Sequence, residues 1–338
     1  MKANITDVAK QALVSIKTVS RVLNNEVYVR QTTRDKVMKA IELLNYTPNL
    51  SARHLASAKD YSIAFIYDST NTHYIVGMQN GILAASKQQG YELLIHPCNA
   101  KSENIVEEIT HMVRTSRVAG LILTPPFSGM PKFVQKMTNL GVDVVRIMSG
   151  DTAPDNIASC VMVNDFKASA DITQYLINLG HTNIAFIGAQ ADDMSAVERL
   201  KGYKQALADS SIQLDASLII DGEYSFDAGV RGTKSLMTGT TKPTAIFSCN
   251  DEIAAGAVFA ARLMGISIPE KLSITGFENS PFSNQTWPRI TTANQPIQKI
   301  AEDATHLLIA RIKKQTTENT IVQYTPQLII GDSTGQVS

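Results

Sequence analysis

From Tyr61 onward the chain alternates short apolar or β-branched runs with stretches of helical period, and this alternation restricts the fold more than any other feature. Runs at 62–67, 91–96, 119–124 and 142–147 are separated by helix-period segments near 74–89, 102–116 and 130–140. A second series has runs at 160–163, 183–188, 217–220, 244–248 and 272–276, with helices near 166–179, 195–209, 226–238 and 251–264. Strands that are apolar along their whole length are buried on both faces, as in a parallel sheet covered by helices. Two such series predict an α/β body of two doubly wound parallel-sheet lobes. Ligands in that architecture bind at the carboxyl ends of strands, so the cleft between the lobes is the expected site.

Residues 4–46 differ in kind. Asn4 can accept a backbone N–H as N-cap, and Asp7 places a carboxylate in the first turn of a helix carrying Val8, Ala9 and Ala12. Ser15 caps a second helix, with Val19, Val22 and Leu23 inward and Ile16, Lys17, Ser20 and Arg21 outward. Val37, Ala40, Ile41 and Leu44 mark a third helix that ends before Tyr46-Thr47-Pro48. The first two form a helix-turn-helix whose second helix offers a cationic edge to a DNA major groove; an ordinary helical hairpin with a solvated face has the same pattern. Residues 49–57 offer too few apolar positions to bury a helix of about eight residues, which is expected to order only against a partner.

Charge separates the two regions. The chain carries 31 basic and 31 acidic side chains, yet residues 1–59 hold ten Lys or Arg against four acids, leaving 21 against 27 in the remainder. A head at +6 on a body at −6 suits a polyanion-binding head on a body that repels polyanions. The first residues contain no apolar secretory segment, and no later run approaches about 18 uninterrupted apolar residues, so a cytoplasmic protein without a membrane partner is expected. Cys98, Cys160 and Cys249 are far apart in apolar runs without metal spacing, which predicts buried free thiols. No G-x-G-x-x-G follows the first strand, and neither a Walker A segment, a G-x-S-x-G elbow nor an H-E-x-x-H occurs. No cofactor, metal or catalytic set is expected, and His111 and His181 are read as structural.

The segments Ile5-Thr6-Asp7-Val8-Ala9, Val14-Ser15, Thr18-Val19-Ser20-Arg21-Val22-Leu23-Asn24, Asn45-Tyr46-Thr47-Pro48-Asn49, Leu55-Ala56, Leu179-Gly180-His181, Arg199-Leu200-Lys201-Gly202-Tyr203, Asn250-Asp251, Gly276-Phe277 and Thr291-Thr292 carry a signature. In order and over nearly the whole chain, they resemble the lactose-repressor (LacI/GalR) family. The resemblance implies a homodimeric transcription regulator of carbohydrate-utilisation genes with a periplasmic-binding-protein-like body. Such a regulator binds a pseudo-palindromic double-stranded operator and senses a sugar or sugar derivative. The implied division is a headpiece at 1–48, a hinge helix and linker at 49–60, and an effector-binding and dimerisation domain at 61–338. Its N-lobe is about 61–161 plus 293–322, and its C-lobe about 162–292 plus 323–335.

Carried over by resemblance, Ile16, Lys17 and Arg21 read bases, with Thr18 and Ser20 near phosphates. Thr6, Ser15, Asn24, Arg30, Asn49, Ala52, Arg53 and Ala56 complete the DNA-facing set. Leu55 matches a hinge leucine that wedges into the minor groove, unstacking a base step at a cost of a few kcal/mol while bending DNA onto more protein surface. In the cleft, Arg199 matches an arginine that grips the effector, and Asn250, Glu278 and Gln295 match partners of sugar hydroxyls. Tyr224 takes an aromatic-wall position, Asn71 and Tyr74 lie in the loop after the first body strand, and Ser195 and Thr124 are weaker candidates. Trp287 either stacks on a sugar face or packs at the hinge.

Three departures from the family pattern stand out. Leu13 replaces a turn glycine, Arg30 the usual serine cap of the third helix, and Glu278 the usual cleft aspartate. Structural alternatives accompany the cleft assignments: Asn250-Asp251 caps the following helix, and Arg199 pairs with Glu198 or Asp192. At the level of function the alternatives are a corepressor-dependent regulator of the purine-repressor branch, a DNA-independent sugar-binding protein, or an enzyme using the same cleft.

Overall fold

The computed structural model describes residues 3–23, 28–46, 61–190 and 193–337. The chain divides into two compact units, Met1–Asp60 and Tyr61–Ser338. The hinge-helix assignment at 49–60, with Asn49, Ala52, Arg53, Leu55 and Ala56, lies outside the described residues, as does Asn24.

The first unit contains α1 (Ile5–Ala12), α2 (Ile16–Leu23) and α3 (Gln31–Leu43). Asn4 and Asp7 form a reciprocal capping box on α1, and Ser15 Oγ accepts the Thr18 amide at 3.1 Å to start α2. Val8, Ala9 and Ala12 of α1 meet Val19 and Val22 of α2 and Val37 and Ala40 of α3 in one small core. Leu13 closes α1 at φ 54, ψ 45, a left-handed conformation that costs a branched L residue about 1 kcal/mol. Arg30 makes no side-chain cap on α3, as its departure from the serine pattern predicts.

The second unit begins with β1 (Ser62–Tyr67), α4 (Thr72–Gln89), β2 (Glu92–Pro97), α5 (Ile105–Thr115), β3 (Val118–Leu123), α6 (Pro131–Asn139), β4 (Asp143–Ser149) and β5 (Ser159–Val163). It continues with α7 (Asp165–Asn178), β6 (Ile184–Ile187), α8 (Met194–Asp209), β7 (Ile219–Ile220), α9 (Phe226–Thr238), β8 (Ala245–Ser248), α10 (Asp251–Leu263) and β9 (Ser273–Thr275). The last elements are α11 (Pro281–Gln285), β10 (Thr292–Asn294), α12 (Ile297–Ile312), β11 (Ile321–Tyr324) and β12 (Gln327–Ile329).

The N-lobe sheet runs β11-β5-β4-β3-β1-β2, every pair parallel, and the C-lobe sheet β7-β6-β8-β9 is likewise parallel. One face of the N-lobe sheet packs on Ile75, Met78 and Ile82 of α4 and Ile300, Ala304 and Leu308 of α12. The other packs on Ile109 and Met112 of α5 and Phe133 and Met137 of α6. Coverage on both faces is why the interior strands β1, β3, β4 and β5 are largely apolar, while the edge strands β2 and β11 are partly exposed. Strands β5 and β11 pair entirely within this sheet, so the chain leaves it after Val163 and Tyr324, two residues beyond the boundaries expected at 161 and 322. The short β10 and β12 form a separate antiparallel pair where the chain passes between the lobes.

Close helix pairs set the geometry of the C-lobe. A Cβ on Gly202 of α8 would stand 2.1 Å from the Phe166 carbonyl oxygen of α7, so only hydrogen permits that approach. Gly229 of α9 and Gly256 of α10 pack equally close against the backbone of Ile253 and Phe226.

Candidate effector cleft and DNA-facing helix

Arg199 lies on α8 one turn before Gly202, and the close approach of α8 to α7 places it beside Asp165, the first residue of α7. Its Nε donates to Asp165 Oδ1 at 2.8 Å, Nη1 to the Cys249 carbonyl at 2.8 Å and Nη2 to Gln295 Oε1 at 3.3 Å. Glu278 Oε1 stands 3.7 Å from Nη1, and the Phe277 ring lies 3.8 Å from the guanidinium carbon. The Ser169 hydroxyl holds the Arg199 carbonyl, fixing the helix that carries the side chain. Arg199 is 2 % exposed, and a charge that deep persists only because its planar fork is matched on several sides.

Two hydrogen bonds join the lobes around this hub. Ser149 at the end of β4 donates to Asp165 Oδ2 at 2.6 Å. Asn71 caps α4 by accepting the Tyr74 amide at 3.1 Å, and its amide nitrogen donates across the cleft to Glu278 Oε1 at 2.7 Å. Glu278 and Asn279 have φ of 100° and 55°, conformations that cost L residues about 1–3 kcal/mol each. The Glu278 amide to the Ala293 carbonyl at 2.8 Å and the Asn279 amide to Thr292 Oγ1 at 3.2 Å hold them there.

Burial shapes the electrostatics. It pushes the Glu278 carboxyl up to about 8, against the pull of Arg199, and the Asp251 carboxyl up to about 7, against hydrogen bonds from Thr292 and Ser280. Asp165 is also raised by burial, with Arg199 opposing. Burial disfavours the charge on Arg199, but Asp165 and its neighbours hold the guanidinium well above its usual range.

The hub opens on a cavity of about 30 Å³ lined by Ser69, Asn71, Tyr74, Pro125, Asp193, Ser195, Arg199, Tyr224, Glu278 and Gln295. Asn71, Tyr74, Ser195, Arg199, Tyr224, Glu278 and Gln295 of the expected set thus converge. Asn250 sits behind the wall as N-cap of α10, accepting the Ile253 amide at 2.9 Å. Thr124 is wholly buried, its hydroxyl directed at the Ile66 carbonyl at 3.4 Å. Trp287 is corrected outright: at 72 % exposure, in the segment after α11, it neither lines the cavity nor packs at a hinge. Of the structural partners expected for Arg199, Glu198 instead bonds Lys201 at 2.7 Å, and Asp192 lies outside the described residues.

Sequence reasoning missed Asp165, Asp193, Ser69 and Pro125. Asp193 accepts both the Ala196 amide at 2.9 Å, as N-cap of α8, and the Tyr224 hydroxyl at 3.0 Å. Its capping position was a readable signal; the pairing of Asp165 with Arg199, 34 residues away, had none. Of the thiols, Cys160 and Cys249 are buried and free as expected, whereas Cys98 is only half-buried. His181 is structural, its ring bonded to Thr244 at 2.9 Å and Ser273 at 3.1 Å. Among the described residues no His, Cys, Asp or Glu group gathers as metal ligands do, and no helix is long and apolar enough to cross a membrane.

In the first unit, Ile16, Lys17 and Arg21 lie on the exposed edge of α2, with Ile16 47 % exposed. Thr18 and Ser20 are half-buried on its flanks, the Thr18 hydroxyl bonded to Ser15 Oγ at 2.9 Å, and Thr6 is half-buried on α1. Arg30 is exposed, and two residues away stands Tyr28, 96 % exposed, which sequence reasoning did not single out.

A helix-turn-helix unit followed by two doubly wound lobes around a polar cleft defines a ligand-responsive DNA-binding transcription regulator. The chain belongs to the lacI family of bacterial regulatory proteins. That family's model matches residues 4–49, and a periplasmic binding protein-like domain matches residues 173–334. Catabolite control protein A of Priestia megaterium is 32 % identical over 99 % of this chain and 100 % of that protein. Among solved structures, the lac repressor dimer bound to operator and the anti-inducer ONPF has a TM-score of 0.80 at 25 % identity, covering 99 % and 100 % of the two chains. The complex of the transcriptional regulator CelR with cellobiose has a TM-score of 0.73 at 26 % identity, covering 98 % and 99 %.

Proposed function

We propose that this regulator is a cytoplasmic, dimeric repressor of carbohydrate-utilisation genes, released from a pseudo-palindromic operator when an uncharged sugar enters the cleft. The observation that carries this reading is the Arg199 hub, whose hydrogen bonds end on Asp165, Gln295 and the Cys249 carbonyl while Glu278 bonds Asn71 across the lobes. Vicinal hydroxyls both donate and accept, so a sugar can replace the Asn71–Glu278 bond and still satisfy each partner.

A phosphate is disfavoured. The guanidinium is already paired with Asp165, and Asp193 adds a further acidic side chain to the wall. The cellobiose complex of the similar CelR regulator supports a saccharide. At about 30 Å³ the cavity has room for only about two waters, so sugar entry must shift the lobes, and that shift is the coupling to DNA.

The test is fluorescence anisotropy of the full-length protein on DNA fragments selected for binding to it, with and without sugars. A coupling of about 1–3 kcal/mol weakens DNA binding some five- to 150-fold. Strengthened binding instead would assign a corepressor sign, and no effect of any sugar would refute the reading.

A further inference from the structure

We propose that the effector is a saccharide of at least two units, the terminal one held at Arg199 and Glu278 and the next in an outer cavity; this rests on the sugar reading above. The outer cavity measures about 560 Å³ and shares Ser69, Pro125 and Asp193 with the inner one, so the two adjoin along the cleft. Its size falls within the roughly 300–1,000 Å³ of pockets that enclose small organic ligands, whereas the inner 30 Å³ does not. A ligand with two linked rings matches a small, hydrogen-bonding end joined to a larger chamber.

Both ends mix polar and apolar surface, and Asp68, Lys101 and Gln190 join Asp193 in the lining of the outer one. The inner end is a network of charged and amide groups that fixes hydroxyl positions. The outer chamber is bounded by Met130, at the start of α6 in the N-lobe, and Met194, the first residue of α8 in the C-lobe, with Pro125 beside them and Asn99 on the rim. A pyranose presents C–H faces and hydroxyl edges. Unbranched thioether side chains adapt to the former, and Asn99 and Asp193 offer polar atoms to the latter. Because the two methionines belong to opposite lobes, a ring between them favours lobe closure beyond what the first unit supplies, so the second unit strengthens the allosteric response as well as affinity.

The experiment is calorimetric titration of the full-length protein with ribose, glucose and galactose, with maltose, cellobiose, lactose and melibiose, and with p-nitrophenyl glucosides. One disaccharide is expected to bind about tenfold or more tighter than its constituent monosaccharides. Met130→Trp, which narrows the outer chamber, is expected to erase that gain while holding monosaccharide affinity within about twofold. Met194→Trp repeats the test from the other lobe should the first variant lose its circular-dichroism spectrum. A monosaccharide as tight as every disaccharide, or a folded tryptophan variant that retains the gain, overturns the proposal while leaving the sugar reading intact. An aryl glucoside matching the best disaccharide does the same, by showing an apolar aglycone site. Absence of binding by every sugar overturns both.

Discussion

Glu278→Gln isolates a strongly perturbed carboxyl in the cleft. The folded protein holds this proton up to about 8, while the unfolded chain releases it near the ordinary value of 4.5. The folded state therefore binds more protons between those values, and stability is highest at acid pH and falls as pH rises through the window. Each pH unit well inside it corresponds to about 1.4 kcal/mol and the slope halves at its upper end, so between pH 5 and pH 8 the side chain contributes a loss of about 3–4 kcal/mol. Glutamine keeps an oxygen to accept from Asn71 and has no proton to release in this range. Urea unfolding of wild type and variant at each pH unit from 5 to 9, followed by circular dichroism, measures the difference. The wild-type curve is expected to drop relative to the variant by about 3–4 kcal/mol and to run parallel to it only above pH 8. A residual slope shared by both proteins is expected from Asp251, whose carboxyl is raised in the same sense to about 7. Parallel curves across the whole range would refute the assignment of a buried, proton-holding Glu278.

Gly202→Ala forces α7 and α8 apart, because its Cβ would meet the Phe166 carbonyl at 2.1 Å; a stability loss of about 1–3 kcal/mol and a weakened sugar response, from a lengthened Arg199–Asp165 contact, are expected in thermal melts and titrations. Lys17→Ala and Arg21→Ala, on the exposed edge of α2, are expected to cost about 1–3 kcal/mol on the preferred DNA and to flatten base preference in a competition binding assay; an equal loss on all sequences would assign them to phosphate contacts.

Much of the molecule was legible in local chemistry. The Asn4–Asp7 capping box, the Ser15 cap and the left-handed Leu13 act within a few residues, so a short window of sequence contains their cause. Strand and helix positions through β9 followed largely from apolar runs, because burial on two faces leaves little room for alternation, whereas β10, α12, β11 and β12 were not read from the sequence. Seven cleft residues were reachable by resemblance, since the loops at strand ends and the opening turns of the helices after them recur with the fold.

Other features were decided by tertiary structure alone. The partner of Arg199 lies 34 residues away and that of Asn71 lies 207 away, distances over which periodicity and spacing carry no information. Trp287 could be placed by composition on a sugar face, yet the fold leaves it in solvent, while Asp165, a carboxylate with no motif around it, became the counter-ion of the site. The amino-acid order determined which segments would be helix or strand and which residues could serve as charges, because those are short-range properties of the chain. Which charges meet, how far burial shifts their protons and how much space remains between them depended on two sheets being brought face to face, and only three-dimensional packing sets that.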